Sequence, residues 1–238
     1  MDYTYLQIAK MIDHSLLNPV LTDAELEAGC LLAREYDVAS ACVKPYYLKR
    51  CAEILAGSTV AASTVIGFPH GGNLTAVKVA EAEQALADGG AELDMVANIG
   101  KVLSEDWDFV SEDIHAVADV THRGGAIVKV IFENCYLLDT HKIKLCQICA
   151  EVGADFVKTS TGYGSGGATI ADLKLMRRHS PPHIRVKAAG GIRTLDALLE
   201  VREIGVSRSG ATRTAEMLTE CKRRLESGLA EAQASVTR

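Results

Sequence analysis

Two lysines carry the chemistry this sequence can do. Lys158 lies in FVKTSTGYGSGG (156–167) and Lys187 in VKAAGGIRT (186–194), each inside a short apolar or β-branched run that breaks into glycines. An ammonium in the middle of a buried strand is costly unless it is paired or sheds its proton. A neutral lysine is a nucleophile toward carbonyl carbon, and a second cation beside it helps to keep it neutral. An ordinary lysine, with a pKa of about 10.4, must come down to roughly 7–8 to serve near pH 7, at about 3–5 kcal/mol. The glycine turns add a second capability, because backbone N–H groups at a loop-to-helix junction can hold a phosphate. Together the residues point to imine formation on a phosphorylated carbonyl compound.

Residues of this kind need strands to aim them, and strands are plentiful. Short apolar runs recur around Ile12 and at 38–45, 59–69, 91–98, 126–133, 154–162, 184–191 and 206–210, which makes eight candidates. Between them lie stretches of helical period, beginning with 22–36, where Thr22 and Glu25 have capping-box spacing, and including 73–90 and 104–124. Strand-then-helix repetition implies parallel strands with helices outside, and eight such units favour a single-domain α/β (β/α)8 barrel spanning 1–238 over an open sheet. In that barrel the turns after the strands share one rim, which is where the active site lies.

Alternation within the strands sorts the charges. Glu92, Asp94, Val96 and Asn98 share one side of the fourth strand, Lys129 and Glu133 one side of the fifth, Lys158 and Ser160 one side of the sixth, and Arg185 and Lys187 one side of the seventh. The opposite parity carries no charge and is apolar apart from Thr159, so the charged side faces the barrel interior and brings Asp94, Lys129, Lys158 and Lys187 into one neighbourhood. Asp94 serves there either as a proton acceptor or as a structural partner of Lys129. Lys44, before Pro45, reads as a strand-end lysine reaching solvent. Cys42 either lines the site or is a small buried thiol. Phosphate binding is expected at Gly162–Gly167, Gly190–Gly191 and Gly205–Gly210, whereas His70-Gly71-Gly72 is as readily a plain turn.

Composition narrows the function classes. The 238 residues are 48% hydrophobic and 24% charged with a formal charge of −6, which fits a globular metabolic enzyme and offers no basic stripe for nucleic acid. No apolar run approaches a membrane span, and the first ten residues do not read as a signal peptide, so a cytoplasmic location is expected. The seven cysteines then read as reduced thiols. Cys146 and Cys149 fall along one helix face and read as packing. The seven histidines form no close ligand pair, so no metal is expected.

These residues bring a resemblance. IDHSLLNP (12–19), ACVKPYY (41–47), TVIGFPHG (64–71), ELDMVAN (92–98), VKVIFE (128–133), DFVKTSTGYGSGGAT (155–169), VKAAGGIRT (186–194) and RSGATR (208–213) together resemble the deoxyribose-phosphate aldolases over nearly the whole chain. The ordered pair KTSTG and KAAGGIRT is the most specific part. The resemblance implies a class I aldolase on a (β/α)8 fold, without metal or organic cofactor, acting on a sugar phosphate and acetaldehyde. By it Lys158 is the Schiff-base lysine, Lys187 its pKa-depressing neighbour and Asp94 the proton-transfer carboxylate. Asp13 and Cys42 match positions near the substrate, Gly162, Gly190, Gly191 and Gly210 match phosphate turns, and Thr161, Lys129 and Thr212 complete the expected contacts. Thr212 and Arg213 stand where some relatives carry serines, and the chain ends SVTR (235–238) where some relatives end in a site tyrosine. A homo-oligomer is expected from apolar positions on the helices. The alternatives are another (β/α)8 lyase or isomerase for a related sugar phosphate, and a catalytically silent sugar-phosphate sensor.

Overall fold

A computed structural model describes residues 3–236, with side chains described through residue 228. Eight parallel strands close into a barrel in sequential order. They are β1 (Ile12–Leu16), β2 (Ser40–Val43), β3 (Ala61–Ile66), β4 (Glu92–Val96), β5 (Ile127–Ile131), β6 (Phe156–Lys158), β7 (Arg185–Ala189) and β8 (Arg208–Ala211). The ring is completed by β8 against β1, with Asp13 opposite Gly210. The helices are α1 (Tyr5–Ala9), α2 (Asp23–Glu35), α3 (Leu48–Leu55), α4 (Thr75–Ala87), α5 (Ile99–Leu103), α6 (Trp107–Arg123), α7 (Asp139–Val152), α8 (Ile170–His179), α9 (Leu195–Glu203) and α10 (Thr214–Val236).

Local chemistry explains several boundaries. At the start of α2 the Thr22 side chain accepts the Glu25 N–H while Glu25 accepts the Thr22 N–H at 2.8 Å, the reciprocal cap its spacing predicts. The helix predicted over 104–124 begins later, because Asp106 caps the N–H of Phe109 and Glu105 adopts a left-handed φ of 54° that separates α5 from α6. The strand predicted over 154–162 is only three residues long, since the chain leaves the ladder after Lys158 to build the rim.

Alternation divides the strand residues as expected. Leu93, Met95, Val128, Val130, Val157, Val186 and Ala188 belong to the apolar core between strands and helices, and none is exposed. The interior of the barrel is different, because charged side chains occupy much of it. At its lower end sits Phe156, in register with Lys129 and Arg185. The Arg185 guanidinium lies 3.9 Å from the ring centroid, with Arg208 at 5.6 Å and Lys129 at 6.0 Å. The ring thus lies at the base of the charged interior and contributes its negative face to three cations.

Candidate active site

Four cationic side chains and three carboxylates meet inside the barrel. Lys129 Nζ lies 2.6 Å from Glu92 Oε2, 2.8 Å from Asp94 Oδ1 and 3.1 Å from Asp13 Oδ2. Lys187 Nζ lies 2.5 Å from Asp13 Oδ2 and 2.7 Å from Asp94 Oδ2. Lys158 Nζ has one carboxylate partner, Asp94 Oδ2 at 2.7 Å. Arg208 spans Asp13 at 2.5 Å and Glu92 at 2.9 Å. Parallel register makes this convergence possible, since Asp94 is opposite Lys129 and Lys158 is opposite Lys187.

The charges do not balance if every group is ionised. Four positive groups face three negative ones, and the amine with the fewest carboxylate partners is the one whose pKa is lowered. Burial is the main cause that lowers the Lys158 pKa, the Lys187 charge adds to it, and Asp94 opposes both. Burial also acts to lower Lys187 and Lys129, but in Lys187 it is outweighed by Asp13 and Asp94, and in Lys129 by Asp13, Asp94 and Glu92, so both are raised. For Asp94 burial pushes upward, yet Lys129, Lys158 and Lys187 hold the carboxyl below its usual range, and Asp13 is held down by Lys129, Lys187 and Arg208. With Lys158 neutral, three positive groups face three negative ones.

Above this cluster opens a cavity of about 800 Å³ lined by Asp13, Cys42, Lys158, Thr161, Gly162, Lys187, Gly190, Gly191, Gly210 and Thr212 among others. Those are ten of the twelve site residues predicted from sequence. Asp94 and Lys129 are the other two, and neither has any exposed surface. Asp94 sits directly below the two lysine nitrogens and reaches the cavity only through them or a water. Lys129 does not line the cavity: its ammonium is directed to Glu92, Asp94 and Asp13 beneath the cavity floor. Gly205 is also displaced from its predicted role, since it precedes β8 and so lies at the opposite end of the barrel from the phosphate turns. Cys42 lines the cavity as a buried thiol whose pKa is raised, first by burial and then by Asp94.

The glycine turns at the rim are tightly joined. Gly167 and Gly190 touch through their backbones: a Cβ on Gly167 would fall 2.3 Å from Gly190 O, so a side chain there has no room. The Ala168 N–H accordingly donates to both Ala189 O and Gly190 O at 2.9 Å. The helices α9 and α10 begin just beyond the turns at Gly190–Gly191 and Gly210, so their N-terminal N–H groups favour an anion at the same edge.

Sequence reasoning missed three contributors. Arg193 lines the cavity two residues past the paired glycines, and that spacing within GGIR was the available signal. Tyr163 also lines it, and its phenol donates to Leu17 O at 2.7 Å. Arg208 belongs to the inward parity of β8, a strand expected at 206–210 whose two faces the alternation argument did not sort. Residues 229–238, which include the SVTR tail, lie outside the described side chains.

A (β/α)8 barrel with a buried lysine of lowered pKa on the floor of a rim cavity defines the imine-forming aldolase class. Residues 7–224 match the model of the DeoC/LacD family aldolases, and the chain belongs to that family. It is 62% identical over 224 residues to the deoxyribose-phosphate aldolase of Rhodopirellula baltica, covering 94% of this chain and 93% of that one. It is 48% identical over 209 residues to the deoxyribose-phosphate aldolase of Thermococcus gammatolerans, covering 87% and 93%. Among solved structures, the tetrameric deoxyribose phosphate aldolase from Aeropyrum pernix superposes with a TM-score of 0.84 at 28% identity, covering 92% of each chain.

Proposed function

We propose that this protein reversibly cleaves 2-deoxy-D-ribose 5-phosphate to D-glyceraldehyde 3-phosphate and acetaldehyde through an imine on Lys158. The observation that carries the reading is the single amine at the cavity floor whose pKa is lowered while those of its two neighbouring lysines are raised. That contrast supports one nucleophile among structural cations.

In the proposed sequence the neutral Lys158 amine attacks C1 of the open-chain aldehyde, and loss of water leaves an iminium. The C2–C3 bond then breaks, its electron pair moving into the new enamine as the C3 hydroxyl gives up its proton. Asp94, through water, receives that proton, while the protonated Lys187 that donates to the same carboxylate orients it. Glyceraldehyde 3-phosphate departs. Protonation of the enamine carbon and hydrolysis of the imine release acetaldehyde and restore Lys158. The glycine turns, the two helix N-termini and Arg193 hold the phosphate during these steps. The reaction serves breakdown of deoxyribose phosphate, and a homo-oligomeric assembly is part of the proposal, measurable by light scattering.

Borohydride reduction in the presence of acetaldehyde tests the assignment. A two-carbon adduct on the peptide containing Lys158 is the expected outcome, together with acetaldehyde release from deoxyribose 5-phosphate in a coupled assay. An unmodified Lys158 would exclude the imine mechanism, and phosphate-ester binding without cleavage would favour a sensor.

A further inference from the structure

The turn after β6 rests on a carboxylate that the reaction scheme leaves unused. Glu133, just beyond β5, holds a left-handed backbone with φ 58° and ψ 62°, a conformation that is unfavourable for any residue with a Cβ. It is also 2% exposed. No Lys or Arg among the described residues forms an ion pair with it. Its oxygens instead accept the Thr161 N–H, at 3.2 and 3.3 Å, and the Thr161 hydroxyl. A hydroxyl that donates to Glu133 still has lone pairs to offer, and the Thr161 oxygen accepts the Tyr163 N–H at 3.0 Å. Tyr163 continues the chain by donating its phenol to Leu17 O at 2.7 Å and setting its ring at 89° to Phe68, with centroids 5.4 Å apart. The turn is pressed onto its support, because a Cβ on Gly164 would lie 2.9 Å from Glu133 Cδ and 2.8 Å from Cys135 Sγ.

We propose that Glu133 is a positioning residue that fixes the Thr161–Tyr163 turn as the cavity wall gripping the phosphate-bearing half of the substrate. The inference rests on the proposed aldolase reading and deepens it. Backbone strain and a buried carboxyl group are both concentrated beneath one threonine, and that threonine orients a segment in which Thr161, Gly162 and Tyr163 all line the cavity. Through Tyr163 the same segment is clasped to the loop after β1, on the far side of the mouth. Lys158 is held by an independent network centred on Asp94, so the Glu133 relay bears on how the aldehyde half is held and not on how the imine forms.

The test separates those two halves in the full-length protein. Glu133→Gln keeps the shape but offers one acceptor oxygen and an unwanted donor, Thr161→Val removes the hydroxyl, and Thr161→Ser restores it. Glu133→Gln is expected to raise KM for deoxyribose 5-phosphate at least tenfold with kcat within threefold, while borohydride trapping of acetaldehyde on Lys158 stays within twofold. Thr161→Val is expected to raise KM similarly, the double variant to be no worse than either single one, and Thr161→Ser to return KM to within twofold of the parent. An unchanged KM, additive effects, or an equal loss of trapping and cleavage would overturn the proposal. If Glu133→Gln does not fold, the Thr161→Val and Thr161→Ser pair decides, and an unaltered KM in Thr161→Val would refute it. Failure of the unmodified protein to trap acetaldehyde would instead remove the aldolase reading itself, and the proposal with it.

Discussion

Lys158 and Lys187 are direct register partners on β6 and β7, and their Nζ atoms fall at the same distance, 2.7 Å, from one oxygen of Asp94. Sharing an acceptor is what makes the two unequal. Lys187 also has Asp13, so it keeps its proton, and its charge then helps to remove the proton from Lys158.

Lys187→Leu should therefore damage catalysis through Lys158. It removes the neighbouring positive charge and leaves Asp94 with one competitor fewer for the remaining amine, and both changes favour protonated Lys158. The rate near neutral pH should fall by about 10²–10⁴-fold, and the acidic limb of the kcat/KM profile should move to higher pH. A limb that stays in place would show that Lys187 does not tune Lys158.

Lys158→Met should abolish turnover, by on the order of 10⁴-fold or more, yet stabilise the fold. With a folded pKa below the unfolded 10.5, Lys158 contributes stability that is complete above pH 10.5 and lost as pH falls through the folded value. At neutral pH it is thus a burden, whether it stays charged or gives up its proton, and the variant replaces it with an apolar chain that bears no such cost. Thermal unfolding at pH 7 should rise by a few degrees, at about 2–4 °C per kcal/mol for a chain of this size. A lower melting temperature would contradict the charge count.

Lys129→Met should act in the opposite sense. It strips Glu92, Asp94 and Asp13 of a shared partner with no exposed surface, and breaking a buried ion network of this kind costs about 3–5 kcal/mol. A melting temperature within a degree of the parent would show that the network is not stabilising.

His14 should give the protein an acid-sensitive step. Its Nδ1 is 2.8 Å from the Thr214 hydroxyl at the start of α10, and burial, opposed by Glu216, lowers its pKa to about 4. A histidine depressed in this way contributes stability that is full above its unfolded pKa of about 6.5 and lost as pH falls toward 4. The contribution is about 3 kcal/mol. Denaturant titrations should show a shallower loss of stability between pH 6.5 and 4 in His14→Gln than in the parent, and parallel curves would exclude the effect.

The barrel and the floor of the cavity could be read in advance because both follow from short-range periodicity. Alternation places Asp94, Lys129, Lys158 and Lys187 on one side, and the order of strands brings them together. Periodicity says which way a side chain faces, however, and not how deep along the strand it lies. That is why alternation alone does not tell that Lys129 lies beneath the cavity lining and not in it. Glu133 shows a second limit: its left-handed backbone ends the alternation that would have grouped it with Lys129, and nothing in VKVIFE announces a positive φ. Arg208 shows a third, because its carboxylate partners, Asp13 and Glu92, come from distant parts of the chain.

The imbalance of four cations against three carboxylates bears on the direction of electron flow during turnover. Once an iminium forms on Lys158, the barrel again holds one positive charge too many. Collapse of the iminium to the uncharged enamine, which is the event that severs the carbon skeleton, restores neutrality. The scaffold thereby biases the covalent intermediate toward bond scission instead of merely accommodating it.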